Sequence, residues 1–104
     1  MCENSGMLVH IVCWKYKPKT DAETREDHRK SLRALTRVIP DILSFYIGSD
    51  ILHLDRSFDT GLVAHFSDRE ALDRYTNHAE HQIVAAHGKE IAEKVVSADF
   101  LSDE

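Results

Sequence analysis

Asp59-Thr-Gly-Leu-Val-Ala-His-Phe66 runs directly into Ser67-Asp-Arg-Glu70 and then Ala71-Leu-Asp-Arg-Tyr-Thr-Asn-His-Ala-Glu-His81. The first segment alternates and carries β-branched residues, so it predicts a strand. Ser67 to Glu70 has the spacing of a capping box, which opens a helix with Ala71, Leu72 and Tyr75 on one side. Asn77-His78-Ala79 interrupts that helix, and a further helical stretch runs from about Glu80 to Glu93. Beyond it, Lys94 to Leu101 is a last strand. On the N-terminal side, Met7 to Tyr16 is a strand closed by Pro18, and Thr20-Asp21-Ala22-Glu23 is a second capping box. The helix that follows keeps Leu32, Leu35 and Ile39 at helical spacing until Pro40, and Ile42 to Ile51 is a strand in which Gly48 marks a bulge. The order βαββαβ predicts a ferredoxin-like α+β fold, with a four-stranded antiparallel sheet and its helices on one face.

The sequence of 104 residues is one domain, expected over residues 7–101, with tails at 1–6 and 102–104. An apolar fraction of 42% with 30% charged residues fits a globular chain and excludes a disordered one. No apolar run reaches the roughly 18 residues that cross a bilayer, and Met1 to Gly6 lacks the pattern of a secretory leader. The net charge of −5, without a Lys/Arg cluster among aromatics, argues against a nucleic-acid partner. Two cysteines, Cys2 and Cys13, form no framework, and a cytoplasmic location is expected. Cys13 is read as a core residue. Seven scattered histidines are an unusually large number for this length, and they are candidates for chemistry.

The strands also predict assembly. Along the first, Leu8, Val12 and Trp14 alternate with Val9, Ile11 and Cys13, and the third and last strands are likewise apolar on both sides. Two helical layers cover one face only, so the other requires a partner, and a second copy stacked sheet to sheet is the simplest cover.

The residues carry a family pattern as well. Val9-His10-Ile11-Val12-x-x-Lys15-x-Lys17, Ile39-Pro40, and above all Asp59-x-Gly61-Leu62-Val63-x-x-Phe66-x-Asp68-x-Glu70-Ala71-Leu72-x-x-Tyr75-x-Asn77-His78-x-Glu80-His81, with Val95-Val96-x-x-Asp99-Phe100 at the end, resemble the stress-responsive α/β-barrel (Dabb) family. The likeness spans residues 7–101. Ala79 departs from it, since the family usually has proline there. Related cofactor-free monooxygenases share the architecture and not the motif. The resemblance implies a homodimeric α+β barrel. It leaves activity open, because most of the family is uncharacterised, although one plant branch is a polyketide cyclase.

That cyclase branch works without metal or organic cofactor, and its functional positions fall here on Tyr75 and His81, with a strand histidine at His10 and a C-terminal aspartate at Asp99. The resemblance therefore implies His81 as general base, Tyr75 as a donor to a carbonyl oxygen and Asp99 as an orienting carboxylate. Such a set suits proton abstraction next to a carbonyl, in a cyclase, lyase or isomerase step. His10, Trp14, Phe45 and Leu62 are the expected ligand-binding residues, for an unidentified small molecule. Two differences from the cyclase branch make a long alkyl polyketide a poor candidate: the polar stretch His28-Arg29-x-x-Leu32-Arg33 and Thr60 in place of another histidine.

Each residue also has a plain structural reading. Tyr75 fits a core position, His81 a helix cap, and His10 a satisfied core histidine. Asp99 fits a partner for a lysine. A non-catalytic dimer then expects the space around His81 to be filled by side chains such as Trp14 and Phe45. His78-x-x-His81 has a metal-ligand spacing but no completing ligand, so no metal and no cofactor are expected. The chain has no nucleophile elbow, P-loop or dinucleotide fingerprint.

Overall fold

A computed structural model describes residues 7–102, so the N-terminal tail with Cys2, and Asp103-Glu104, lie outside the described residues. The elements are β1 (Leu8–Tyr16), α1 (Ala22–Ala34) prolonged by a 3-10 turn (Leu35–Arg37), β2 (Ser44–Ser49), β3 (Thr60–Phe66), α2 (Arg69–Asn77), α3 (Ala79–Ile91) and β4 (Ala92–Leu101). The sheet is antiparallel with strand order β2-β3-β1-β4. This is the ferredoxin-like α+β arrangement predicted from the element order. Among the described residues, no helix is long and apolar enough to cross a membrane.

Both helix starts differ from the predicted capping boxes by one residue. Asp21 and Asp68 are the N-caps, their carboxylates accepting from the N–H groups of Thr24 and Ala71 at 2.8 Å. Aspartate is the stronger acceptor at a positive helix end, and it displaces Thr20 and Ser67 from that role. Thr20 instead donates its hydroxyl to the Ile91 carbonyl, tying the start of α1 to the end of α3. Gly48 makes no bulge and pairs in register with Gly61. β2 is shorter than expected because Ile51, Leu52 and Leu54 belong to an exposed loop, in which His53 adopts a positive φ of 54°.

Alternation sorts the sheet into two faces. Leu8, Trp14 and Tyr16 of β1, together with Leu62, Ala64 and Phe66 of β3, are buried with Leu32, Leu35 and Ile39 from the α1 region and with Leu72 and Tyr75 of α2. The opposite face carries Val9, Ile11, Cys13, Val63, Val96 and Phe100. Cys13 therefore lies outside the helix–sheet core, half-buried on that second face, where burial raises its thiol pKa.

Candidate active site

The helix-covered face of β1 presents His10, Val12 and Trp14, and the antiparallel register sets Asp99, Ser97 and Val95 of β4 directly beside them. α3 lies above with His81, Ala85 and Lys89, spaced four residues apart and hence on one helical face. All of these except Asp99, together with Leu32, Leu62, Tyr75 and Thr76, line a half-enclosed cavity of about 360 Å³. That is the small end of the range for small-molecule sites. A wider hollow of about 960 Å³ opens on the other side of Thr76 and Asp99, between α2 and the end of β4. It holds no histidine or tyrosine, so the titratable cluster belongs to the smaller cavity.

The break between α2 and α3 positions the cluster. His78 closes α2 with its backbone N–H on the Tyr75 carbonyl at 3.2 Å and caps α3 by accepting from the Glu80 N–H at 3.1 Å. The turn at His78 carries the next helix back over Tyr75, so that the His81 and Tyr75 rings stand 4.3 Å apart. His81 Nδ1 meets the Thr76 carbonyl at 3.1 Å. A carbonyl only accepts, so Nδ1 bears the proton and Nε2 keeps its lone pair. Burial, chiefly, and then the neighbouring His10 and His78 lower the pKa of His81 below the ordinary histidine value, which keeps the ring neutral at neutral pH. Tyr75 is almost fully enclosed and its phenol makes no hydrogen bond among the described residues. Burial raises the phenol pKa well above its usual value, so it stays protonated.

Asp99 is bonded to His10 Nδ1, which corrects the expected pairing of Asp99 with His81. Among the described residues no hydrogen bond joins Asp99 to His81. The reason is the strand register: Asp99 is the cross-strand partner of His10, whereas His81 approaches from the helix layer and is oriented by a backbone carbonyl. The ring of His10 stands edge-on to Tyr75, with centroids 5.8 Å apart. Tyr75 therefore lies between two histidines, each with its Nδ1 engaged.

Of the expected ligand-binding residues, His10, Trp14 and Leu62 line the cavity. Phe45 does not. It pairs with Ala64 toward the β2 edge of the sheet and packs against the apolar core, two strands away from β1. Thr76, Ala85, Lys89 and Ser97 line the cavity without having been singled out in the sequence. The spacing of His81, Ala85 and Lys89 was the available signal for two of them. Among the described residues, no three His, Cys, Asp or Glu side chains converge in a way that could hold a metal ion.

The family model described as the stress responsive A/B barrel domain, Dabb, matches residues 8–102. The chain belongs to the Dabb family. The resemblance carried by the segment from Asp59 to His81 is thereby borne out over nearly the whole sequence. No curated protein matches this Dabb chain. Among solved structures it is similar to a dimeric ferredoxin-like protein of unknown function from Thermobifida fusca (20% identity, covering 93% of this chain and 92% of that one, TM-score 0.84). It is also similar to a dimeric protein of unknown function and ferredoxin-like fold from Bacteroides fragilis (20% identity, 94% and 98% covered, TM-score 0.82). A third is the hydroxynitrile lyase of Passiflora edulis (17% identity, 95% of each chain covered, TM-score 0.86). At these identities the likeness establishes the fold that the Dabb chain shares with them, and the activity has to be argued from its own cavity.

Proposed function

We propose that this Dabb protein is a homodimer that binds a small carbonyl compound in the cavity and moves a proton on it without metal or cofactor. His81 is the base: its Nε2 lone pair is free, and its neutral form is favoured by burial. It takes a proton from the carbon next to the carbonyl. Tyr75, held as a neutral phenol, donates a hydrogen bond to the carbonyl oxygen as negative charge develops there. The proton taken up on His81 Nε2 is returned from there to the enolate, and His10, its Nδ1 proton committed to Asp99, presents an accepting ring nitrogen on the far side of Tyr75. Asp99 thus acts by orienting His10. Isomerisation, cyclisation and lyase steps all pass through such an enolate.

The observation that carries this reading is the 4.3 Å pairing of His81 with Tyr75 at the wall of an open cavity. The non-catalytic reading expects Trp14 and Phe45 to fill the space around His81, whereas Trp14 lines an open cavity and Phe45 lies away from it. The Passiflora edulis enzyme adds only that this fold accommodates a lyase. Support for the dimer comes from the apolar sheet face that no helix covers and from the dimeric neighbours.

Hydrogen–deuterium exchange at the carbon beside the carbonyl, followed by proton NMR over a panel of β-keto acids and ketones in D₂O, tests the reading without knowledge of the product. The wild-type chain should accelerate exchange on at least one compound. His81→Ala should lower that rate by about 10²- to 10⁴-fold and Tyr75→Phe by about 10- to 10²-fold, with both variants folded. Because His81 acts unprotonated, the rate should fall as pH drops through a pKa below the ordinary histidine value of about 6.5. Exchange that survives His81→Ala unchanged would remove His81 as base.

A further inference from the structure

Lys89 is the cavity residue to which the proton transfer gives no work. It shares a face of α3 with His81 and lies eight residues further on, about 12 Å along the axis. Its neighbours in the wall include Trp14 and Val95, which are cross-strand partners at the opposite end of the cavity from His10 and Asp99. Lys89 is exposed, and among the described residues it makes no ion pair or hydrogen bond.

The wall contains no carboxylate, although the chain as a whole carries a net charge of −5. Asp99 faces the wider hollow and is committed to His10. Between the two ends the wall is mostly apolar, formed by Val12, Leu32, Leu62 and Ala85, with the Ser97 hydroxyl beside Val12 as its one polar group. The cavity is thus a short, mostly apolar slot with proton-transfer groups at one end and an unpaired ammonium at the other. A single ammonium, with no guanidinium fork beside it in the wall, suits one carboxylate better than a phosphate, which needs several donors.

We propose that the cavity takes a linear keto acid, its carbonyl end at the paired Tyr75 and His81, its chain along Val12 and Leu62, and its carboxylate on Lys89. The position of the carbonyl rests on the function proposed above; the acidic end rests on Lys89 alone.

Trp14 is the sole tryptophan of the chain and lines the cavity, so its emission reports occupancy. The full chain is titrated with methyl-ketone acids of about six to ten carbons and with their neutral methyl esters. At least one acid should bind about tenfold or more tighter than its ester, corresponding to roughly 1.4 kcal/mol. Lys89→Gln should bring that acid down to the affinity of the ester, Lys89→Arg should keep most of the preference, and ester binding should not change in either variant. Equal binding of acid and ester, or a preference that survives Lys89→Gln, overturns the assignment to Lys89 and leaves the exchange chemistry standing. No response of Trp14 to either series overturns the ligand cavity itself, and this inference with it.

Discussion

His28 is fully buried, and its surroundings set how the folded chain responds to acid. The Tyr16 hydroxyl donates to Thr60 at 2.9 Å, so it accepts from His28 Nδ1 at 2.7 Å. That leaves Nε2 as a buried lone pair without a partner, facing the backbone at Gly88, where a Cβ would come within 2.8 Å. Burial, chiefly, and then the neighbouring His87 and Arg29 push the imidazole down to about 4. In the unfolded chain it titrates near 6.5, so between these two values the unfolded state binds the extra proton and acid favours unfolding. His28 therefore contributes stability that is complete above about pH 6.5 and is lost as the pH falls toward 4, on the order of 3 kcal/mol in all. Urea unfolding at fixed protein concentration from pH 7.5 to 4.5 should show this decline, and it should be shallower in His28→Gln. Parallel pH dependences in the two proteins would contradict it. The sequence places His28 in a polar stretch of the first helix; its enclosure depends on Tyr16, Thr60 and Gly88, whose convergence no local pattern announces.

At the level of elements, the junction of α2 and α3 was the most legible part of the chain and remains open to improvement. His78 has φ −67° and ψ 135°, the extended geometry that a following proline requires, and Ala79 is the first residue of α3. A proline there has its ring in a helical φ and gives up an N–H that the first turn leaves unused. Ala79→Pro should therefore stabilise the chain by about 0.4–1 kcal/mol through loss of freedom in the unfolded state, seen as a rise of a few degrees in the thermal midpoint. A lowered midpoint would mean that the junction is not the proline-ready turn described here. Element order was readable because strand alternation and helix caps are local. The cap positions were readable only to one residue, since threonine and serine compete there with an adjacent aspartate. The site was legible where it follows helix geometry, as with Tyr75 and His81. It was illegible where it follows strand pairing, because placing Asp99 on His10 and Phe45 away from the cavity requires the β1–β4 and β2–β3 registers.

For the whole molecule, the question is what covers the second face of the sheet. Val96 and Phe100 of β4 are 42% and 48% exposed, and with Ile11, Val63 and Cys13 they form an apolar surface that no helix covers. A surface of this kind on a chain of 104 residues argues for a second copy, whose identical face meets it about a two-fold axis. The cavity lies on the opposite, helix-covered face, so an interface here would back β1 and β4 and hold His10 and Asp99 in register without entering the site. Sedimentation at micromolar concentration should find a dimer. Val96→Asp puts a charge at the centre of the apposed faces, where burial without a partner costs several kcal/mol, and should weaken association by about 100-fold or more. Ile83→Asp, on a still more exposed apolar position of α3, should leave the dimer intact. Two variants that dissociate alike, or a wild-type chain that sediments as a monomer, would assign the apolar face of the sheet to some other cover.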